Sequence, residues 1–472
     1  MAGIVATGVH VPIFRLSREE IARAWGGRGG GGEKAIAGYD EDAVTMAVDA
    51  AIECRRQADR PVDGLYFAST SSPYREKLVA TVMATALDLP RECRTADYTD
   101  SLRAPAAAIS AAVDAVKSGS SRNIIVAASD RRTGAARSKF EMELGDGAAA
   151  LMIGSEDVIA SIDGSYTIYN EMFDVWRTEG DAYLRSGEER LIVSEGYQKT
   201  LQEAVAGLMK KFKLAPADFA RVVLAAPDAR AQAALAKALG FDAKTQLVDS
   251  LYAVIGNTGV PAPIIMLASA LETAKPGDRI LLGVYGEGAE AFLLTVTEKI
   301  KQVKHSAAVK DLVARKIPIS YEKYATWRGL ISTEAAKLGG EVNPSLAVLW
   351  RDRRAVLALY GVKCLACGTP QYPPTRICAV CQSKDKFEDY LFADKRGQVF
   401  TFAVDYLAIT ENPPGINAFI DFDGGGRMLC EITDCDPGIV RVGMPVEMTF
   451  RRFSTSVGIM DYSWKARPVP PA

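Results

Sequence analysis

The sequence predicts an α/β protein, with a layered α/β region over residues 1 to about 298, then a cysteine-rich ribbon and a small β-barrel. Three observations support this fold class. In the first region, apolar runs typical of buried strands alternate with alanine-rich amphipathic helices, a pattern that indicates α/β layers. Two Cys-X-X-Cys pairs then lie ten residues apart. Short alternating strands, separated by Gly, Asp and Pro turns, follow the second pair.

The strands and helices of the first region follow one another along the chain. The predicted strands are the apolar runs 64–68, 123–128, 221–225 and 279–284. Helical periodicity places helices over 42–54, 104–117, 196–213, 229–239 and 261–274. The glycine run 26–32 does not follow a strand, so we interpret it as a loop and not as a phosphate-binding turn.

An internal repeat divides this region into two halves. The segment GDGAAALMI at 145–153 resembles GEGAEAFLL at 286–294. Each has the pattern of a glycine-rich turn that leads into a buried strand, so the repeat predicts two copies of one α/β unit. The charged stretch 299–345 predicts a connecting helix and a helical return, and 346–362 predicts a helix that leads into the cysteine pairs.

Four cysteines, Cys364, Cys367, Cys378 and Cys381, have the spacing of a zinc site. Two residues between the members of a pair allow both sulfurs of a tight turn to face one ion. Two such turns supply the four thiolates of a tetrahedral Zn²⁺ site. The alternative is a pair of redox dithiols, which needs a strand-to-helix context that the proline-rich spacer opposes. We therefore expect a structural Zn²⁺ as cofactor.

Short strands of alternating polarity follow the ribbon, over 398–406, 418–422, 427–432 and 445–451. Five or so such strands suggest a small β-barrel of the OB-fold type. OB-folds often bind nucleic acid through exposed aromatic residues and basic grooves. Phe400, Phe402 and Tyr406 share one strand face, but the segment lacks interleaved Lys and Arg. We therefore interpret these three aromatic residues as barrel core.

The composition bounds the location and the partners. At 472 residues the chain is long enough for two or three domains. A net charge of −2 gives no support for binding nucleic acid or anionic membrane. No apolar run reaches the length of about 18 residues that a membrane-spanning helix needs. The N-terminal segment lacks the pattern of a secretory signal peptide. The four remaining cysteines are expected to be free thiols in a reducing cytoplasm, with a Cys430–Cys435 pair as the alternative.

Residues 1–335 resemble the 3-hydroxy-3-methylglutaryl-CoA synthase branch of the thiolase superfamily in its archaeal form. The matching stretches are VHVPIFRLSREEIARAWG, YDEDAVTMAVDAA, SSPYREK, AVKSG, LGDGAAALMIG, GNTG, AKPGDRILL and ISYEKYATWRG. Residues 340–472 resemble the DUF35 family, a zinc ribbon plus OB-fold that accompanies thiolase-like proteins, through the cysteine spacing and VGMPVEMTFRR. Such partners are usually separate chains, whereas here the two look fused.

This resemblance implies a duplicated, thiolase-like fold of five αβαβα layers, a homodimer and an acyl-CoA substrate that brings coenzyme A. It divides the chain into a thiolase-like N-terminal half at 1–165, a C-terminal half at 166–335, a helix plus zinc ribbon at 340–384 and an OB-fold at 385–472. We expect a cytoplasmic enzyme that binds neither nucleic acid nor membrane.

The resemblance also locates three catalytic positions, and the chain departs from the family at each of them. The family's cysteine nucleophile, glutamate acid/base and histidine align with Leu102, Thr70 and Ala225. A leucine has no lone pair and no exchangeable proton, so a covalent acyl intermediate at that position is excluded. The two histidines lie away from the aligned position, and we expect His10 to be structural and His305 to lie in an exposed connector.

A pocket without the cysteine nucleophile can still carry out acid–base chemistry on a bound acyl-CoA. N–H donors that polarise a thioester carbonyl, together with proton transfer by a carboxylate or phenol, suffice for aldol or retro-aldol cleavage of a β-hydroxyacyl-CoA. Steroid side-chain aldolases resemble thiolases, lack the cysteine and pair with a DUF35 protein, which supports a C–C lyase by analogy. Two alternatives stay open: a non-catalytic acyl-CoA-binding scaffold, and a condensing or acyl-transfer enzyme with a relocated nucleophile such as Ser101.

Five residues are candidates for this chemistry. Asn257 in GNTG matches the synthase asparagine that orients the carbonyl, so we expect it to donate to the oxyanion. Asp100 either faces the pocket or caps the following helix. Glu287 lies in a Gly-Glu-Gly turn, where its role is structural or catalytic. Tyr74 lies in the loop of the absent glutamate, as a pocket wall or as a phenol that replaces it, and Tyr252 is a further candidate.

Two arginines are candidates for binding coenzyme A. Arg15 and Arg230 match basic positions of the family, which predicts contacts with the phosphates. The alternative for both is an ordinary solvated surface position, as for most single basic residues.

Overall fold

The computed structural model describes residues 1–303, 307–331, 345–408, 410–456 and 458–469. The chain divides into two compact units. The first consists of Met1–Ala37, Met46–Thr81 and Leu89–Tyr324, and the second of Gly38–Thr45, Val82–Asp88 and Ala325–Ala472. Two short segments from the N-terminal part of the chain therefore belong to the unit that the C-terminal part forms. The division into four domains stays a prediction.

The strands of the described residues follow in chain order. They are β1 (Gly3–His10), β2 (Phe14–Ser17), β3 (Glu33–Ile36), β4 (Gly64–Ser69), β5 (Arg94–Thr99), β6 (Asn123–Asp130), β7 (Gly147–Gly154), β8 (Ala160–Tyr169), β9 (Val175–Trp176), β10 (Arg185–Ser186), β11 (Arg221–Leu224), β12 (Arg279–Tyr285), β13 (Gly288–Val296), β14 (Ile317–Pro318), β15 (Tyr360–Cys364), β16 (Pro370–Gln371), β17 (Phe387–Leu391), β18 (Arg396–Asp405), β19 (Gly415–Phe422), β20 (Arg427–Glu431), β21 (Pro445–Ser456) and β22 (Ile459–Pro468).

The α-helices are α1 (Arg18–Ala24), α2 (Ala43–Gln57), α3 (Ala80–Ala86), α4 (Ala104–Lys117), α5 (Lys139–Glu143), α6 (Glu189–Leu191), α7 (Lys199–Phe212), α8 (Ala229–Ala238), α9 (Tyr252–Ile255), α10 (Ala262–Glu272), α11 (Val309–Ala314), α12 (Tyr321–Trp327), α13 (Leu346–Arg351) and α14 (Arg353–Leu357). A π-helix covers Ile192–Gln198, and 3₁₀ turns cover Pro216–Asp218, Glu298–Gln302 and Pro437–Ile439. In the described part of the chain, no helix combines the length and the apolar character that crossing a membrane requires.

Nine of the described strands form one sheet in the first unit, in the order β11-β12-β13-β8-β1-β7-β6-β4-β5. Its two halves repeat one pattern, because β4 and β6 are parallel like β11 and β12, while β6 and β7 are antiparallel like β12 and β13. The halves join where β1 pairs with β8 at Gly3↔Ser161 and Ile4↔Ala160. The two copies of the sequence repeat form β7 and β13, which confirms the predicted duplication.

Helices of the first unit belong to two apolar cores. The central helices α4 and α10 share one core with strands from both halves of the sheet. Eight of the eleven residues of α10 are buried, as a helix requires when it is covered on most sides. Helices α7 and α8 pack into a second core with Leu281 of β12 and Leu293 of β13. This inner and outer placement of helices is the layered α/β arrangement that the sequence predicts.

The connecting region differs in detail from the predicted helices. It contains the 3₁₀ turn Glu298–Gln302, then α11, β14 and α12, while His305 lies outside the described residues. The helix predicted over 346–362 ends at Leu357 because β15 begins at Tyr360. Leu359 has a φ of +55°, which a continuous right-handed helix does not accommodate.

The second unit contains a small ribbon sheet and a barrel. The strand order is β16-β15-β17 in the ribbon and β20-β19-β18-β21-β22 in the barrel. A parallel bridge between Ile432 and Ala466 brings the two barrel edges together, as in a nearly closed OB-type barrel. Phe450 packs in the barrel core, with its ring centroid 5.5 Å from those of Tyr462 and Trp464.

Phe400 and Phe402 of β18 and Tyr406 just after it do not form the barrel core, so that interpretation is wrong. Phe400 is 48% exposed and Tyr406 is 76% exposed, while Phe402 is half-buried. The physical reason is a bulge between Val399 and Thr401, which shifts the alternation of the strand. The guanidinium carbon of Arg427 lies 3.4 Å from the centroid of the Phe400 ring, a cation–π contact.

Candidate active site

A cavity of about 330 Å³ lies within the first unit. Its wall is mainly apolar, but it carries three carboxylates, a lysine ammonium, an amide and two phenols. The lining residues are Leu102, Ser138, Lys139, Phe140, Glu143, Asp174, Val175, Leu184, Ser186, Glu189, Ile192, Val193, Tyr197, Ala225, Ala226, Pro227, Asn257, Gly259, Ala262, Pro263, Val284 and Tyr285. An apolar wall with a few converging polar groups is typical of a small-molecule site.

Two of the three positions that the sequence resemblance singles out lie at this cavity. Leu102, just before α4, and Ala225, just after β11, both line it. Thr70 is absent from the lining, and its N–H and hydroxyl donate to the carboxylate of Asp130 at 2.8 and 2.9 Å. Among the described residues no cysteine lines the cavity. The half-buried Cys93 lies elsewhere, and burial raises the pKa of its thiol to about 11.

Asn257 lines the cavity, and its environment fixes the orientation of its side chain. Its backbone N–H donates to the carbonyl of Glu143 at 2.7 Å. Its side-chain Oδ1 accepts from Nη2 of Arg132 at 3.0 Å and from the N–H of Gly259 at 3.1 Å. Because two donors occupy the oxygen, the amide NH₂ is the part of Asn257 that a ligand oxygen can use. One of its two N–H groups donates to the Pro227 carbonyl at 3.5 Å, which leaves the other for a ligand.

A buried hydrogen-bond network around Asp130 and Arg132 holds the Asn257 side chain in position. Asp130 at the end of β6 accepts from the hydroxyls of Ser69 and Ser71 at 3.2 and 2.9 Å, and from the N–H of Val260 at 3.0 Å. The guanidinium of Arg132 lies 3.8 Å from the same carboxylate. Burial lowers the pKa of Arg132, and the Asp130 charge opposes that shift. The network ties the loop after β4 to the Asn257 turn.

Glu143 and Tyr252 form a second polar group at the cavity. Glu143 lines it, and the Tyr252 side chain hydrogen-bonds to its carboxylate. Burial raises the pKa of Glu143, which the nearby ammonium of Lys139 at 3.6 Å partly offsets. Burial and the Glu143 charge also raise the pKa of Tyr252, and the Arg18 guanidinium lies 4.5 Å from the ring centroid. Tyr252 does not line the cavity, so it influences the site only through Glu143.

The other predicted acid–base residues are not in the lining of this cavity. Asp100 is exposed, has a φ of +73° and accepts from the Thr99 hydroxyl at 2.8 Å. Tyr74 is half-buried in the loop after β4. Glu287 accepts a hydrogen bond from the hydroxyl of Ser101, and burial raises the pKa of its carboxyl. These residues keep their catalytic roles only as predictions.

The two arginines predicted to contact coenzyme A differ in exposure. Arg15 is 1% exposed and donates to the main-chain carbonyls of Pro12, Phe14 and Val313. Burial lowers its pKa to about 10. The guanidinium of Arg15 is thus used inside the fold, and its contact with a phosphate stays a prediction. Arg230 is exposed in the first turn of α8 and stays a candidate.

The sequence reasoning missed several polar residues of the cavity, among them Glu143, two phenols and a further carboxylate. Asp174 precedes β9, Tyr285 ends β12 and Tyr197 lies in the π-helix, and all three line the cavity. Tyr285 lies two residues before Glu287, so attention to strand ends near the Gly-Glu-Gly turn would have found it. Asp174 and Tyr197 lie in segments without a motif, and only the folded chain brings them to the cavity.

The four cysteines of the second unit meet the geometric requirement of a zinc site. Their sulfurs lie within 4.8 Å of one another, with Sγ–Sγ distances of 3.6 Å for Cys364–Cys381 and for Cys367–Cys378. A tetrahedron with Zn–S bonds of about 2.3 Å has S–S edges of about 3.8 Å. The donor set and its spacing fit a structural zinc ion.

The N-terminal region is similar in sequence to known synthases. It is 34% identical over 336 residues to the hydroxymethylglutaryl-CoA synthase of Thermococcus sibiricus, covering 69% of this chain and 96% of that protein. It is also 34% identical over 341 residues to the hydroxymethylglutaryl-CoA synthase of Methanocaldococcus jannaschii, covering 70% and 99%. The fold is similar to that of MvaS in complex with 3-hydroxy-3-methylglutaryl coenzyme A, with a TM-score of 0.61, 23% identity and coverage of 71% and 94%.

Family models match the C-terminal region as well. Residues 351–388 match the rubredoxin-like zinc ribbon domain of ChsH2, and residues 392–451 match the C-terminal OB-fold domain of ChsH2. These matches agree with the cysteine cluster and with the five-stranded barrel. The chain thus belongs to the hydroxymethylglutaryl-CoA synthase family and carries, in addition, a zinc ribbon and an OB-fold domain of the ChsH2 type.

Proposed function

We propose that this chain is a C–C lyase that cleaves an apolar β-hydroxyacyl-CoA by a retro-aldol reaction, or forms it in the reverse direction. The observation that carries the proposal is the cavity, where Leu102 and Ala225 lie beside the oriented amide of Asn257. A side chain that cannot attack a thioester favours chemistry without an acyl-enzyme. The amide, the buried carboxylates and the phenols still supply an oxyanion donor and proton carriers.

The reaction needs three events at the cavity. A base removes the proton of the β-hydroxyl, and the C2–C3 bond breaks as the β-carbon becomes a carbonyl. The electron pair of that bond passes into the thioester as an enolate, whose oxygen accepts from the amide of Asn257. A proton then returns to C2, which completes a shorter acyl-CoA. The proton gained by C2 equals the proton lost by the hydroxyl, so no redox partner is needed.

The cavity also supports a class of acyl group. Its wall includes Phe140, Leu184, Ile192 and Val284, and a volume of about 330 Å³ has room for roughly ten non-hydrogen atoms at about 30 Å³ each. An apolar acyl group of that size fits the cavity better than a charged one. In this proposal, Arg230 is the candidate contact for the coenzyme A phosphates. A homodimer and a cytoplasmic location also stay predictions.

The test is incubation with a panel of apolar β-hydroxyacyl-CoAs of increasing size. We expect a shorter acyl-CoA by liquid chromatography and mass spectrometry, and an equal amount of aldehyde or ketone after derivatisation. The matched control is each acyl-CoA without the β-hydroxyl, which should bind but yield no product. Binding of the whole panel without any product would contradict the lyase and favour the non-catalytic scaffold.

A second candidate function has one specific observation in its favour. The Ser101 hydroxyl donates to the Glu287 carboxylate, an arrangement in which a carboxylate serves as base for a serine nucleophile. An acyl-transfer enzyme built on Ser101 would gain the mass of an acyl group on incubation with acyl-CoA. Intact-protein mass spectrometry distinguishes the two proposals, because the lyase never becomes acylated.

A further inference from the structure

Tyr285 and Asp174 are a phenol and a carboxylate that lie close together at the wall of the cavity. Asp174 is 4% exposed, and its carboxylate is near enough to the Tyr285 hydroxyl to raise the pKa of that phenol. Both residues line the cavity. The backbone N–H of Val175 donates to Oδ1 of Asp174 at 2.5 Å, which holds the carboxylate in place. A phenol next to a fixed carboxylate has the arrangement of a proton relay.

The fold makes room for the hydroxyl of Tyr285 in an unusual way. A Cβ atom placed on Gly196 would lie 2.5 Å from that hydroxyl oxygen and 2.8 Å from Sδ of Met172. Such contacts are shorter than van der Waals packing allows. A glycine in the π-helix is therefore what permits the phenol to reach Asp174, and π-helical turns occur frequently at functional sites.

A neighbouring phenol provides an independent indication of a ligand. Tyr197 lines the cavity and is fully buried, and its ring meets that of Tyr285 edge to face, with centroids 5.7 Å apart. Within the described part of the chain, the buried hydroxyl of Tyr197 has no hydrogen-bond partner. A buried hydroxyl without a partner costs free energy, and a ligand oxygen in the cavity would remove that cost.

We infer that Tyr285 and Asp174 are the proton relay of the proposed C–C cleavage, and that Tyr197 holds the β-oxygen of the substrate. The inference rests on the proposed function and names residues for it. Tyr285 takes the proton of the β-hydroxyl as it passes its own proton to Asp174. The C2–C3 bond breaks at the same time, with its electron pair moving into the thioester enolate. The proton then returns from Asp174 through Tyr285 to C2, so atoms and charges balance.

The electrostatics of the pair agree with this order of events. Burial and the adjacent carboxylate raise the pKa of Tyr285 above its ordinary value. The phenol therefore carries its proton at neutral pH and cannot act as a free phenolate. It serves as the bridge between substrate and carboxylate, and Asp174 is the group that stores the proton. Because the carboxylate in this relay exchanges its proton with the phenol and not with the substrate, a change at Asp174 should affect turnover more than binding.

The experiment compares Tyr285→Phe and Asp174→Asn with the wild-type chain on the substrate that the panel identifies. We expect kcat to fall by about 10²- to 10⁴-fold in each variant, with KM and the affinity for the acyl-CoA lacking the β-hydroxyl within threefold of wild type. Tyr166→Phe, which removes a phenol from a half-buried tyrosine outside the cavity lining, is the matched control and should keep wild-type kcat. A structural role would not produce this split between kcat and affinity.

The outcomes separate the relay from the function on which it rests. A wild-type chain that cleaves none of the panel overturns the proposed function together with the relay. A wild-type chain that cleaves, with both variants within threefold of its kcat, overturns the relay alone. Should Tyr285→Phe fail to fold by circular dichroism, the isosteric Asp174→Asn variant decides, because only a proton-accepting role predicts its loss of turnover at unchanged affinity.

Discussion

Nη2 of Arg132 donates to the side-chain oxygen of Asn257 at 3.0 Å. This bond determines which end of the amide is left for a ligand, since the N–H of Gly259 also donates to the same oxygen. Arg132 is 6% exposed and lies 3.8 Å from Asp130, so it is itself held in place. The orientation of the Asn257 amide NH₂ is thus fixed before substrate binds, as an oxyanion donor requires.

Asn257→Leu removes this donor with little change in volume. We expect turnover of the cleaved acyl-CoA to fall by about 10²- to 10³-fold, because the enolate oxygen loses its hydrogen bond. Affinity for the acyl-CoA without a β-hydroxyl should change less than fivefold. Steady-state kinetics and equilibrium binding measure the two effects. The control is Asn417→Leu on the exposed face of β19, and an equal loss in that variant would contradict the assignment.

Leu102→Cys tests whether this position opens into the ligand cavity. We expect iodoacetamide to alkylate the introduced thiol, and saturation with an acyl-CoA to slow that alkylation at least tenfold. Peptide mass spectrometry reports both rates. The natural Cys54 is the internal control, because it is buried and burial raises its pKa to about 12, so it should stay unmodified. Alkylation that is indifferent to acyl-CoA would place the ligand elsewhere.

Removal of one zinc ligand should release the metal. Cys378 is buried within the cysteine cluster, and Cys378→Ser leaves only three thiolates for the ion. We expect the zinc content to fall from one ion per chain to less than a fifth of that, together with a lower melting temperature of the second unit, since a structural zinc contributes folding free energy. Cys435→Ser, outside the cluster, should retain full zinc by elemental analysis.

Arg451 is the centre of a buried charge cluster in the second unit. Its guanidinium is fully buried and lies 2.5 Å from Asp434 and 3.4 Å from Glu41. Arg451→Met leaves these carboxylates buried without their partner, which should lower the free energy of unfolding by about 3–5 kcal/mol. Urea denaturation measures the change. Arg427→Met, which removes an exposed ion pair with Asp421, should leave the free energy of unfolding nearly unchanged.

The buried Lys465 should make the second unit sensitive to high pH. Burial opposes its charged form, but the nearby carboxylates of Asp40 and Glu431, at 3.0 and 2.6 Å, outweigh burial and raise its pKa. The folded state then binds the proton more tightly than the unfolded state. This stability is fully present below the ordinary lysine pKa of about 10.4 and is lost as pH rises above it. Chemical denaturation at pH 7 to 11 should show the decline, and Lys465→Met should show a flatter profile.

The sequence anticipated part of the site because part of it is local. In the two cysteine pairs and the GNTG turn, the local sequence determines the geometry. A few adjacent residues set the direction of the cysteine sulfurs and of the Asn257 amide. Leu102 and Ala225 were located by alignment with a family, and both line the cavity. Arg15 could not be judged in this way, because its burial depends on residues as distant as Val313.

Composition, periodicity and the cysteine spacing by themselves determined that this chain is a duplicated α/β region followed by a zinc ribbon and a barrel. Only the tertiary structure decided which polar groups meet in the cavity. Asp174, Tyr197 and Tyr285 come from three separate segments of the chain. The segment 38–45 belongs to the same unit as the barrel, although the barrel strands lie more than 300 residues later in the sequence. The physical reason is that sequence periodicity indicates which residues are buried. The hydrogen-bond partner of a buried polar group depends instead on which distant segments the tertiary fold brings together, and local sequence does not contain that information.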